Sequence, residues 1–275
     1  MSGTRGDSET VGRLHRVFAD CAARGERALI TYLTAGDPDL AATTEILGAL
    51  AEGGADIVEI GIPFSDPLMD GPVIQVASER ALAAGATPRG VMTMAAAAAP
   101  GLSSALIYMT PYNLVWRYGL DRFAADCQAS GICGVLITDL PPEEAGEWQA
   151  ICRDHGVGTV FLAAPTSSAA RMRAAGTATG FVYLISRRGV TGEQAAVADE
   201  LAEVIGRLRQ ETDAPVAVGF GLSTPEQVAQ VCALADGAIV GSALVKRLAA
   251  ADSSAARCTA AREFARALKA GTVLS

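Results

Sequence analysis

The sequence predicts an α/β fold: a single (β/α)8 TIM barrel with an extra N-terminal helix. Three observations point there. Eight short apolar runs recur along the 275 residues. Longer amphipathic stretches lie between them. No GxGxxG follows the first run, which disfavours the large doubly wound sheet that the same alternation could build. A chain of this length is ordinary for one such barrel, so residues 1–275 read as one domain, with residues 1–8 as a polar, flexible tail.

The predicted strands are Ala28–Leu33, Asp56–Ile60, Ser104–Met109, Gly134–Thr138, Gly158–Leu162, Gly180–Ile185, Pro215–Gly219 and Gly237–Val240. They are rich in Val, Ile and Leu and mostly lack polar alternation, as strands buried on both faces do. Residues 8–24 read as the extra helix, placed to close the bottom of the barrel. Asp37–Pro38 reads as a helix start with a first-turn proline, followed by the apolar stripe Leu40, Ile46, Leu47 and Leu50 and ended by Gly53–Gly54. Ser223 to Glu226 has capping-box spacing ahead of another helix. Leu120–Ala129, Glu143–Arg153, Ala198–Arg209 and Ser254–Leu268 are further helices, and the run Ala95–Ala99 reads as a helix end stopped by Pro100–Gly101.

Composition narrows the function. The net charge of −8 argues against nucleic acid or an anionic membrane as partner. A phosphorylated ligand stays possible, because main-chain N–H groups and helix N-termini hold phosphate without many cations. No apolar run is long enough to span a bilayer, and the first residues carry no apolar signal region, so a cytoplasmic protein is expected. The six cysteines show no metal-type spacing and read as small core hydrophobes of a reducing compartment. His15 and His155 fall away from the strand ends. Neither a metal site nor a histidine base is expected.

Barrels of this kind place their chemistry at the C-terminal strand ends. Glu59 is a carboxylate in the otherwise apolar second strand. Burying a lone carboxylate is costly, so it tends to be paired, protonated or working. A raised pKa would suit a general acid; from composition alone, a salt-bridged strand-end glutamate fits equally well. Asp66 and Asp70 follow among prolines and glycines. Turn formation accounts for Asp66. Asp70 is either a turn residue or a second carboxylate reaching the pocket of Glu59. After strand seven, Gly219-Phe220-Gly221-Leu222-Ser223 leads into a helix; after strand eight, Gly241-Ser242 opens another. Such loops are the usual phosphate grip of barrel enzymes, although tight turns alone also use glycine. After strand six, the stretch from Ser186 to Gly192 has the composition of a mobile lid or of a plain surface connection.

These residues resemble one family. Glu59 to Pro67 (EIGIPFSDP) with Asp70-Gly71-Pro72, Ala35 to Pro38, Ser186-Arg187 with Gly189 to Gly192, Gly219 to Ser223, and Gly241 to Val245 are similar, in order, to the signatures of tryptophan synthase α chains. The resemblance implies a lyase of tryptophan biosynthesis. It would split indole-3-glycerol phosphate into indole and glyceraldehyde 3-phosphate by a retro-aldol reaction. It further implies Glu59 as the general acid–base residue, which protonates C3 of the indole and helps deprotonate the glycerol hydroxyl. Asp70 would accept a hydrogen bond from the indole N–H. Tyr183 would pack near Glu59, Thr191 and Gly192 would belong to the lid, and Phe220 would line the pocket. Phosphate would rest on Gly192, Gly219, Gly221, Gly241 and Ser242. The family's α chain pairs with a β chain that carries pyridoxal phosphate, in an αββα tetramer, and needs no cofactor itself.

The sequence departs from the usual family pattern at Pro111, where many members have an aromatic, at Leu114, where they have proline, and at Arg188, usually a smaller residue. The resemblance places the loop with Pro111 and Leu114 against the β chain. Two other readings stay open from the residues: a stand-alone lyase that releases free indole, and a catalytically inactive barrel kept as an allosteric subunit.

Overall fold

The computed structural model describes residues 11–185, 194–219 and 221–274. The predicted tail at residues 1–8 and the predicted lid, with Arg188, Thr191 and Gly192, lie outside them, as does Phe220. Eight parallel strands close into a barrel in sequence order. They are β1 (Ala28–Thr34), β2 (Ile57–Gly61), β3 (Ala105–Thr110), β4 (Ile132–Ile137), β5 (Gly158–Ala163), β6 (Phe181–Ile185), β7 (Val216–Gly219) and β8 (Gly237–Val240). The predicted strands match these to within two residues at every end. Twelve α-helices are described: α1 (Val11–Ala23), α2 (Leu40–Glu52), α3 (Pro72–Ala83), α4 (Pro88–Ala98), α5 (Tyr112–Tyr118), α6 (Leu120–Ala129), α7 (Gly146–Asp154), α8 (Ala169–Ala175), α9 (Gln194–Arg209), α10 (Pro225–Cys232), α11 (Ser242–Ala249) and α12 (Ser254–Ala270).

Side chains alternate across each strand and divide between two cores. In β2, Ile57 joins the barrel interior with Ile30, Ile107 and Phe181, whereas Val58 and Ile60 face the surrounding helices. The same alternation turns Glu59 inward. Five of the six cysteines are buried and all are unpaired, in keeping with a role as small apolar side chains.

Helix α1 plugs the bottom of the barrel. Leu14 is fully buried, and its Cδ1 occupies the space that a Cβ would need at Gly134, Gly158 and Gly180, only 2.8, 3.1 and 3.2 Å away. Phe18 tilts against Phe181 at 5.7 Å between ring centroids. Three glycines at neighbouring strand starts therefore make the hole that one leucine fills. Leu14→Ala should cost about 2–5 kcal/mol of stability, the range for a leucine lost from a close-packed core. Urea unfolding measures this, and a loss under about 1 kcal/mol would mean that the plug is loosely packed.

Helix α7 begins at Gly146 rather than Glu143, and α9 at Gln194 rather than Ala198; two helix caps also differ from expectation. The cap of α2 is Asp39, not Asp37: its carboxylate accepts from Ala42 N at 2.8 Å. Asp37 instead accepts two bonds from the Arg80 guanidinium, at 2.8 and 2.6 Å, joining the β1 loop to α3. The capping box ahead of α10 is Thr224 with Gln227, not Ser223 with Glu226. Pro225 takes the first helical position, so the residue just before it becomes the cap.

Candidate active site

At the C-terminal strand ends, Glu59, Asp70, Tyr183, Gly219, Gly221, Gly241 and Ser242 line one cavity of about 250 Å³. They come from β2 and its loop, from β6, from the end of β7 and the loop after it, and from the turn between β8 and the start of α11. Of the predicted site residues, only Thr191, Gly192 and Phe220 are not placed there, because they lie outside the described residues.

Glu59 is 2% exposed, and its Oε1 has no hydrogen-bond partner among the described residues. No cation of the described residues pairs with it. Burial, and then the charge of Asp70, push its pKa up from 4.5 to about 8. At neutral pH the group holds its proton in an apolar barrel, ready to donate it.

Asp70 serves both roles left open by its sequence. Its backbone forms a turn, with Asp70 N donating to Pro67 O at 3.0 Å and Gln75 Nε2 donating to Asp70 O at 2.9 Å. Its half-buried carboxyl meanwhile lines the cavity. Burial raises its pKa from 3.8 to about 6. Two carboxyls in one cavity thus titrate apart, the arrangement that gives one acid and one anion at neutral pH.

Tyr183 lines the same cavity as Glu59, and burial, then the charge of Glu59, push the pKa of its phenol up. A side chain at Gly219 would run into the Tyr183 ring, 2.7 Å from Cε1 and 2.8 Å from Cζ. Gly219 is therefore needed for the tyrosine to lie over β7, quite apart from any anion. Gly221 has φ +66°, a left-handed turn that favours glycine. Gly241 and Ser242 open α11 at the cavity wall. The first N–H groups of a helix have no intrahelical partner and favour an anion.

Sequence reasoning missed Tyr32. It is 3% exposed and lines the same cavity. Strand parity could have found it, since Tyr32 shares the inward face of β1 with Ala28 and Ile30. A second cavity, of about 260 Å³, adjoins the first and shares Tyr32, Met69, Asp70, Met109 and Thr138 with it. Pro111, one of the unusual residues, lines this outer cavity. Among the described residues, no cluster of three or more His, Cys, Asp or Glu side chains could hold a metal ion, and no helix is long and apolar enough to cross a membrane.

Comparisons with known proteins point to one family. The family model described as tryptophan synthase alpha chain matches residues 18–273. The alpha chain of Geobacter sulfurreducens is 48% identical over 86% of this chain and 90% of its own. That of Solibacter usitatus is 48% identical over 94% of this chain and 97% of its own. A solved structure of Mycobacterium tuberculosis tryptophan synthase superposes with a TM-score of 0.86 at 40% identity, over 96% of this chain and 99% of that one. The tryptophan synthase alpha subunit of Legionella pneumophila gives 0.86 at 32% identity, over 94% and 98%.

Proposed function

The chain belongs to the tryptophan synthase alpha chain family, and from that premise we propose how its own residues carry out the reaction. The enzyme is a carbon–carbon lyase of tryptophan biosynthesis, cleaving indole-3-glycerol phosphate to indole and glyceraldehyde 3-phosphate. One observation carries the assignment of roles: a buried Glu59, whose Oε1 has no partner among the described residues, shares a cavity with Asp70 and with two glycine-bearing loops.

The proton of Glu59 goes to C3 of the indole ring, which becomes a cationic tautomer. Asp70, ionised above about pH 6, accepts the hydrogen bond of the ring N–H and offsets that charge. The C3–C1′ bond then breaks. Its electron pair returns to the indole, and the C1′ hydroxyl becomes the aldehyde of glyceraldehyde 3-phosphate. The Glu59 carboxylate takes the hydroxyl proton and ends as it began. Phosphate rests on Gly219, Gly221, Gly241 and Ser242, far from the bond that breaks, where its binding energy positions the substrate. Gly241→Val should weaken binding of inorganic phosphate by roughly tenfold or more, by filling the place where the anion meets the α11 N-terminus; titration calorimetry reads this, and equal affinity would remove Gly241 from the grip.

We infer that the partner is a β chain carrying pyridoxal phosphate, in an αββα tetramer, and that this chain itself needs no cofactor. Large apolar side chains stand in solvent beside the barrel mouth: Leu68 is 81% exposed, Met69 60% and Trp116 64%. A rim of that kind suits a protein partner. The decisive test is indole release by the purified chain, with and without its β chain. Feeble activity that rises steeply with the β chain is expected. Strong activity that ignores the β chain would identify a stand-alone lyase, and no activity in either state would leave an inactive allosteric barrel.

A further inference from the structure

Tyr32 stands where the two halves of the site meet. It packs in one cluster with Val73, Ile74 and Ala77 of α3 and Val245 of α11. Helix α11 opens on Gly241–Ser242, and a Cβ at Gly241 would stand 3.4 Å from the Tyr32 Cβ. Helix α3 begins directly after Asp70-Gly71, and its Gln75 holds the Asp70 carbonyl at 2.9 Å. The stem of this side chain thus stands beside the start of α11, while the side chain packs in one cluster with the first turns of α3.

The far end of that ring is pinned. The hydroxyl shares a 3.2 Å hydrogen bond with Thr34 Oγ1, inside the barrel mouth. The ring also lies on Gly61, where a Cβ would come within 2.7 Å of Cζ and 2.8 Å of Cε2. The ring is seated on Gly61 and packed in one cluster with both helices, so a shift of α11 against its stem passes to α3. Burial, and then the charges of Asp70 and Glu59, raise the pKa of the phenol, in keeping with a hydroxyl that lies near both carboxylates.

We propose that Tyr32 is a positioning residue that transmits phosphate binding at the α11 N-terminus to Asp70, acting as a wedge between α11 and α3. The inference rests on the phosphate grip at Gly241 and Ser242 proposed above. Helices α3 and α11 also touch each other directly, so the ring's own share must be measured by changing the ring.

Indole-3-glycerol, the substrate without its phosphate, separates grip from transmission when inorganic phosphite is added as a free dianion. Phosphite should accelerate its cleavage by the wild-type chain with its β chain present. In Tyr32→Leu, that acceleration should fall by roughly tenfold or more, the scale of a modest misplacement of catalytic groups. The phosphite concentration giving half the effect should stay within about threefold of wild type, because the grip itself is untouched. Tyr32→Phe keeps the wedge and should keep the acceleration to within about twofold, since only the tip bond to Thr34 is lost. An undiminished acceleration in Tyr32→Leu overturns the inference. So does a loss of phosphite affinity that parallels the loss of acceleration, since Tyr32 would then belong to the grip. Should Tyr32→Leu not fold, Val245→Ala trims the same contact from the α11 side; full acceleration there overturns the inference equally. A wild-type enzyme that phosphite does not accelerate refutes the phosphate grip instead.

Discussion

Glu59→Gln should all but abolish indole formation, with a loss of roughly 10²–10⁴-fold in kcat, the usual worth of a positioned general acid–base group. The amide keeps the shape of the carboxyl but can neither give its proton to C3 nor take one from the hydroxyl. Inorganic phosphate should still bind, because the grip lies across the cavity. Retained turnover would remove Glu59 from the chemistry. The same variant carries a stability signature. The pKa of Glu59 is about 8 in the folded protein against 4.5 for a free glutamate. Its contribution to stability is therefore fully present below pH 4.5 and is lost as pH rises through about 8, because the folded state binds the proton more tightly. Glu59→Gln stays neutral throughout. It should melt above the wild type at pH 9 and close to it at pH 4.5. A difference in melting temperature that ignores pH would contradict the buried, protonated state.

Asp70→Asn is the second large effect. Removing the anion that offsets the cationic ring should lower kcat by roughly 10²–10³-fold, the scale for losing one preorganised electrostatic partner, with a smaller change in KM. The pH profile gives a sharper reading than the rate. The wild type needs Asp70 ionised and Glu59 protonated, so kcat/KM should rise through about pH 6 and fall through about pH 8. Asp70→Asn should lose the acid limb. It should also move the alkaline limb to lower pH, because the neighbouring charge that helps to hold the Glu59 proton is gone. An acid limb that persists in Asp70→Asn would have to belong to another group.

Most of the barrel was legible because its strands are buried on both faces and leave nearly unbroken apolar runs. Glu59 stood out for the same reason, as a charge in a place that does not tolerate one. Asp70 was half legible: the residues around it announce a turn, and only the fold shows that this turn dips into the cavity. The cap ahead of α10 was read one residue early, because Ser223-Thr224 offers two hydroxyls and Pro225 decides between them. Asp37 was read as a helix cap, but its carboxylate is taken by Arg80, 43 positions along the chain, a contact that no local pattern reveals. Tyr32 was missed because an aromatic in a buried strand reads as core; its role depends on two helices that only the closed barrel brings together.

The leucine plug at the opposite end bears on how protons travel. Below Glu59 the barrel is filled by Ile30, Ile57, Ile107 and Leu14, all apolar and buried, so among the described residues no polar relay climbs from the floor. Among the described residues, the way to Glu59 for protons and water is the mouth, which the substrate fills in the proposed mechanism. A reaction that gave up a net proton would stall in such a dead end. The retro-aldol does not, because the proton delivered to carbon is replaced by the one released from the hydroxyl. The closed floor thus suits a chemistry whose proton count balances within a single turnover.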